Sequence, residues 1–253
     1  EEIKMRTLYV HMELELKKEC LDTYELGEPQ TLTQEETAET IVPDYCPDIA
    51  RIISAEGVVC LHGGTEQDGV TGTVRVTVLY TPENESGVRA LEFAMPFSAQ
   101  GEGLAGCAHV VVETEIELLE SRMLNPRKIF TRCKLVTHLA GCRKVCLTIS
   151  SDAETDPALL VEKRCCGQTV SLLRQVAEKD LTFSETMSLS LGREGAAELL
   201  HCRANGIVTE TKAIGNKLIF KGVFLVSALY RTIGGQLASA SAELPFSQIM
   251  ETD

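Results

Sequence analysis

Tryptophan is absent from the 253 residues, and aromatic side chains make up only 5% of them. Flat sugar faces are commonly met by stacked aromatic rings, so this scarcity weighs against a dedicated carbohydrate site. Positive charge is also in short supply. Lys and Arg number 24 against 37 Asp and Glu, a formal net charge of −13, and the sequence pI is about 4.9. Binding to nucleic acid depends on neutralising phosphates, so nucleic acid is not an expected partner. Attraction to an anionic membrane surface is disfavoured for the same reason. No apolar run approaches the roughly 18 residues that span a bilayer, and no secretory leader is visible. Neither membrane insertion nor secretion is therefore expected, and a cytoplasmic protein is. Hydrophobic residues at 44% and charged residues at 24% suit a globular chain and exclude a disordered one or a coiled-coil rod.

Catalytic constellations are missing too. There is no Gly-x-Ser-x-Gly elbow, the strand-to-helix turn that exposes a nucleophilic serine. The five histidines (11, 62, 109, 138 and 201) are scattered. Glu113, Glu115 and Glu117 repeat along one strand face, as a solvated edge does, and not as an acid–base pair. Gly101-Glu-Gly103-Leu-Ala-Gly106 satisfies G-x-G-x-x-G, but residues 107–119 alternate with period two. A dinucleotide site needs a helix there. The segment reads as a flexible connector, and neither an enzyme nor a cofactor is expected.

Ten cysteines are present, at 20, 46, 60, 107, 133, 142, 146, 165, 166 and 202. In a long chain with irregular spacing they read as reduced, mostly buried thiols that pack as small hydrophobes. Cys133, His138, Cys142 and Cys146 have metal-like composition. On a strand, however, Cys142 and Cys146 would lie about 13 Å apart, and no metal site is expected. The adjacent pair Cys165-Cys166 carries no redox motif.

What is abundant is β-pattern, and it recurs. Gly72-Thr-Val-Arg-Val-Thr-Val-Leu-Tyr80 aligns with Gly222-Val-Phe-Leu-Val-Ser-Ala-Leu-Tyr230. Met95-Pro-Phe-Ser98 aligns with Leu244-Pro-Phe-Ser247, and Gly57-Val-Val59 with Gly206-Ile-Val208. The alternation of Val74, Val76, Val78 and Tyr80 suits a half-buried antiparallel strand. Gly63-Gly64, Asp68-Gly69, Gly215-Asn216 and Gly234-Gly235 supply hairpin turns. Short helices are expected at 49–53, capped by Asp48, and at 196–200. The reading is an all-β fold with minor α content: two homologous antiparallel β-sandwich-like modules, residues 19–104 and 178–253. A β-rich middle segment, 105–177, joins them, with strands at 128–139 and 142–150 and a loop or hinge at 151–157. An N-terminal arm, 1–18, precedes them, with Met12 a candidate start. Arg122, Arg127, Lys128 and Arg132 flank the turn Asn125-Pro126 and concentrate positive charge. They are the candidate interaction surface, for an acidic partner or a second subunit.

Val42-Pro-Asp-Tyr-Cys-Pro-Asp-Ile-Ala-Arg-Ile-Ile53 resembles the opening signature of a domain of unknown function in SipL-type spore-coat morphogenetic proteins of spore-forming Clostridia. Residues 91–98, Ser121-Arg-Met-Leu-Asn-Pro-Arg-Lys128, Gly215-Asn-Lys-Leu-Ile-Phe-Lys-Gly222 and Pro245-Phe-Ser-Gln248 look like its other marks. The resemblance covers about residues 18–250. It implies tandem β modules and a non-enzymatic role in assembling the spore envelope through protein partners. It further implies a mother-cell cytoplasmic location, with the spore coat or surface as a final destination. In that family a LysM module carries the contact with the coat ATPase. No segment of these residues resembles that module, so the contact is not carried over. A homo-oligomer through β edges, aided by the alternating arm, is expected as well. A glycan-binding β module is the alternative.

Overall fold

The computed structural model describes residues 15–62, 69–154, 169, 171–177, 184 and 194–251. Period-two burial runs along most of its strands. In β4 (Gly69–Pro82) the residues facing one side, Val70, Val74, Val76, Val78 and Tyr80, are all buried. Their neighbours Thr71, Arg75 and Leu79 are more exposed. Such a strand is stable only with a second apolar layer over its buried face.

That layer comes from the same half of the chain. β3 (Ile49–His62), β4 and β5 (Arg89–Gln100) form an antiparallel meander. A second sheet is centred on β7 (Lys128–Glu154), flanked by β2 (Gln30–Ile41) on one edge and β6 (His109–Asn125) on the other. β1 (Glu15–Leu26) continues the β2 edge along the far half of β7. β6 lies over β3, and β2 over β5. Between the layers Val74, Val76, Val78, Tyr80, Leu91, Met95 and Phe97 pack on Ile129, Cys133 and Leu135. This is a β-sandwich. The residues expected to link two modules thus form the second layer of the first. Strands 128–139 and 142–150 are one continuous strand, which runs on through 151–154 of the expected hinge. Residues 155–157 of that hinge lie outside the described residues, as do 1–14 of the arm. Residues 15–18 are paired strand.

A third sheet, β8 (Ala196–Ile214), β9 (Lys217–Thr232) and β10 (Leu237–Glu251), has the same meander order. Its central strand β9 contains Phe224–Tyr230, as β4 contains Val74–Tyr80. In both sheets a glycine of the central strand pairs with a phenylalanine of the last, Gly72 with Phe97 and Gly222 with Phe246. A Cβ on either glycine would sit 2.5–2.6 Å from that ring. The ring covers the bare backbone of the glycine, so the two recurring sequence blocks are the halves of one contact.

The two expected helices are strands. β3 has bulges between Ile49 and Arg51 and between Ile52 and Ser54. β8 has them between Ala196 and Glu198 and between Leu199 and His201. Each bulge inserts one extra residue, so Ile49, Ile52 and Ala55 reach the core at a spacing of three. Spacing of three on a sheet imitates one helical face. The bulges also place β8 at an offset of 147 from β3, not the 149 of the Gly57/Gly206 block: Ile52 pairs with Tyr80, and Leu199 with Tyr230. Among the described residues no helix is long and apolar enough to cross a membrane.

Candidate functional site: a clamped loop at the end of the sandwich

The chain leaves β2 at Ile41 and re-enters the core at Ile49. Val42 and Ile49, at the two ends of the connection, are fully buried. Between them run Pro43, Asp44, Tyr45, Cys46, Pro47 and Asp48, two prolines with fixed φ around a short turn. The carbonyls of this loop that are turned away from water need partners that the ladders cannot supply. The amide of Cys46 donates to Pro43 O at 2.9 Å, and that of Glu83 to Asp48 O at 2.9 Å. The Tyr80 hydroxyl reaches Pro47 O at 3.3 Å. Burial, with the nearby Cys46 thiol adding to it, pushes that phenol up to about 12, so it remains a donor across the physiological range.

Arg127 closes the loop. One guanidinium nitrogen, Nη1, donates to Cys46 O at 2.8 Å and Asp48 Oδ1 at 3.0 Å. The other, Nη2, donates to Val42 O at 2.8 Å and Asp44 Oδ1 at 3.2 Å. A planar fork with fixed donors is the group that can hold four acceptors at once. Its own backbone is fixed as well. Asn125 Oδ1 accepts from Arg127 N at 2.9 Å, and Val42 N and Ile49 N donate to Arg127 O and Pro126 O at 2.9 Å each. The segments 42–53 and 121–128, read separately as family marks, therefore meet at one residue.

The remaining members of the expected basic surface are placed nearby but are not free charges. Lys128 pairs with Glu39, Arg132 with Glu35 at 3.1 Å, and Arg122 lies over the Phe130 ring at 4.9 Å. What the clamp leaves in solvent is the loop tip. Tyr45 is 87% exposed and Ile41, at the end of β2, 72%. Sequence reasoning passed over Tyr45. The signal available was its place between two Pro-Asp steps whose backbone had to be held from elsewhere.

The other motifs have structural roles. The Gly101–Gly106 segment is a turn between β5 and β6, with φ of +67° at Gly103 and +78° at Gly106. It is not a loose connector. Leu104 is buried with Val70, Ala99 and Leu139. Gln30 bonds both ways with Glu102, and Arg143 donates to Gly103 O at 2.7 Å. The cysteine expectation needs correction. Cys20 and Cys146 are joined as a disulfide across the β1–β7 ribbon, with Cα atoms 5.7 Å apart, a spacing that suits the bond. Of the described free thiols, Cys133 and Cys142 are buried, Cys46, Cys60 and Cys107 half-buried, and Cys202 exposed. Burial pushes the Cys133 thiol up to about 11, the carboxylate of Glu36 adding to it. Cys165 and Cys166 lie outside the described residues. An open groove of about 1000 Å³ runs between β1 and residues 172–177, beside Tyr24, His109 and Lys144.

Fold and site define a class: an all-β protein of antiparallel sheets with a surface loop that is clamped by Arg127 and leaves an aromatic side chain exposed. Residues 196–253, the stretch that forms β8, β9 and β10, match the family model described as the SPOCS domain of SipL. The match spans less than a quarter of the chain. It agrees with the resemblance to SipL-type proteins and marks the chain as spore-related. No curated protein and no solved structure matches the chain.

Proposed function

We propose that the chain is a non-enzymatic assembly protein of the spore envelope, made in the mother-cell cytoplasm and acting through protein–protein contacts, with the loop 41–48 as a docking element. The observation that carries the reading is the exposure of Tyr45 on a loop whose ends, flanking turn and carbonyls at Val42, Pro43, Cys46, Pro47 and Asp48 are held. An aromatic side chain with few rotatable bonds, held on a rigid backbone, loses little entropy when a partner covers it, and tyrosine is enriched among residues that dominate interfaces. The internal likeness of the sheets β3–β4–β5 and β8–β9–β10 supports a tandem repeat, and their outer strands offer edges for self-association. Pro96 on β5 and Pro245 on β10 each remove one donor from such an edge.

The test is a photo-crosslinking amino acid placed at position 45 of the full chain in sporulating cells. A discrete crosslinked partner is expected, with none from the same group at Glu115 on the outer face of β6. Equal crosslinking from both positions, or normal spore-envelope assembly with Tyr45→Ala, would remove the docking role.

A further inference from the structure

Past Cys142 the second sheet narrows to a ribbon. β6 begins at His109, opposite Cys142, and the pairing of β2 with β7 stops at Leu139. From there to Glu154 the strand partner of β7 among the described residues is β1. Every residue from 16 to 22 on β1 and from 146 to 150 on β7 is exposed. Successive side chains of a strand point to opposite faces, so neither face of this ribbon is covered by a second layer. A two-stranded antiparallel ribbon without a packed face is marginally stable in water. The ion pair of Lys144 with Asp22, at 3.3 Å, is exposed on both sides and adds little. The base of the ribbon is different. Thr23 is buried, and its Oγ1 and the amide of Tyr24 both donate to Leu173 O, at 3.0 and 2.8 Å. The Tyr24 ring lies 6.0 Å from that of His109. The Cys20–Cys146 bond crosses the ribbon just beyond this anchored base.

We infer that Cys20–Cys146 is a redox latch. Closed, it holds residues 15–22 on β7; open, it lets them leave, with Thr23 and Tyr24 as the fixed hinge. The two cysteines are 126 positions apart, so the bond supplies a long-range closure that the exposed ladder alone holds weakly. Both are exposed, which gives a reductant the access that a buried pair would deny. The co-reactant is a dithiol. One of its thiolates attacks one of the two sulfurs, and the other cysteine leaves as a thiolate and takes up a proton. The second thiol of the reductant then displaces the mixed disulfide. The protein gains two electrons and two protons, and the reductant departs as a disulfide. Glutathione disulfide closes the latch by the reverse exchange. A cytosolic thiol pool holds such an exposed pair open, and oxidising surroundings close it. The consequence falls on the groove of about 1000 Å³: Cys20, Leu21 and Asp22 form part of its β1 wall, facing residues 172–177, so the groove is complete only in the oxidised chain. The inference does not depend on the Tyr45 loop.

The experiment is hydrogen exchange on the full chain, first equilibrated with glutathione disulfide and then reduced with dithiothreitol. Reduction is expected to speed exchange at residues 16–22 and 146–150 by about a hundredfold. Residues 23–26, β4 and residues 128–139 should keep their protection. The double variant Cys20→Ser, Cys146→Ser should exchange like the reduced chain and should not respond to dithiothreitol. Both positions are exposed, so the variant should fold; if it does not, the two redox states of the unmodified chain decide alone. Equal protection of the ribbon in both states would overturn the proposal. Loss of protection throughout the sandwich would do so as well, since the bond would then staple the whole fold and not one ribbon. So would a dithiothreitol response that survives in the double variant, or Cys20 and Cys146 remaining unlinked in glutathione disulfide.

Discussion

Replacing Arg127 with alanine tests whether the loop 42–48 is held by the clamp or merely lies beside it. The side chain makes four hydrogen bonds, and they are not equal. Asp44 is fully exposed, so its ion pair is screened and contributes nothing measurable. Asp48 and Arg127 are 42% and 34% exposed in their side chains, and such a pair is worth under about 1 kcal/mol. The bonds to Val42 O and Cys46 O, both 2.8 Å, come from a charged donor to partly buried carbonyls. Each contributes about 1.5 kcal/mol, with some recovery as water enters the gap. The expected loss is about 2–3 kcal/mol, seen in urea denaturation as a midpoint about 1 M lower at unchanged slope. Arg127→Lys keeps the charge but cannot reach both carbonyls, and should lose about half as much. Chymotrypsin should cut after Tyr45 faster in both variants, because its loop is no longer held. Asp44→Asn should leave the midpoint where it is. An unchanged midpoint in Arg127→Ala, or a loss in Asp44→Asn as large as in Arg127→Ala, would refute the reasoning.

Tyr45→Ala should leave the urea midpoint within error of the parent, since the ring is 87% exposed, while abolishing partner capture from sporulating cells. Stability should fall as pH rises above about 9: the unfolded chain releases the Cys133 proton near the ordinary value of 9.0, and the folded chain holds it to about 11. Tyr80 extends the loss from its ordinary 10.0 toward 12, so the unfolded state binds fewer protons throughout this window and gains on the folded one. Cys133→Ala should flatten the first part of that decline, which denaturation at a series of pH values reads directly. Under native conditions, mass mapping after iodoacetamide treatment should find Cys202 labelled well before Cys133 and Cys142, which should react only on unfolding. A non-reducing digest should recover the peptides of Cys20 and Cys146 linked, and a digest containing both peptides free would contradict the pairing.

The strands of both meanders were legible because their alternation is strict and their turns are marked. Gly215 and Gly235 take the positive φ, +60° and +84°, that the hairpins require. Two things were hidden. A bulge changes the period of burial locally, so Ile49, Ile52 and Ala55 spell a helix face on a strand. Packing of β6 and β7 on the first meander is a long-range choice that alternation alone does not make, since an alternating strand fits any apolar face offered to it. At the site, the charges of Arg127, Lys128 and Arg132 were visible, but their partners were not. Glu35 and Glu39 lie on a neighbouring strand, and two of the four acceptors of Arg127 are backbone carbonyls, which carry no side-chain signature.

The marks of the SipL-type resemblance therefore divide by physical role. Phe97, paired with Gly72 of the internal repeat, and Gly222 with Phe246 fix the register of a meander, and the contact recurs in both sheets. Arg127, with Pro43, Pro47 and Asp48, fixes one loop. A residue that sets register is needed wherever the meander occurs, whatever the protein contacts. Tyr45 is different, because nothing in the fold consumes its side chain: the core closes through Val42 and Ile49, and the clamp through backbone carbonyls and Asp48. An exposed aromatic contributes nothing to folding stability, so the placement of the Tyr45 ring, unlike the arginine clamp beneath it, has its effect only when another molecule covers it. That contrast separates the part of the pattern that builds the module from the part available for contact, and it ranks Tyr45 above the paired basic residues around it as the first position to substitute.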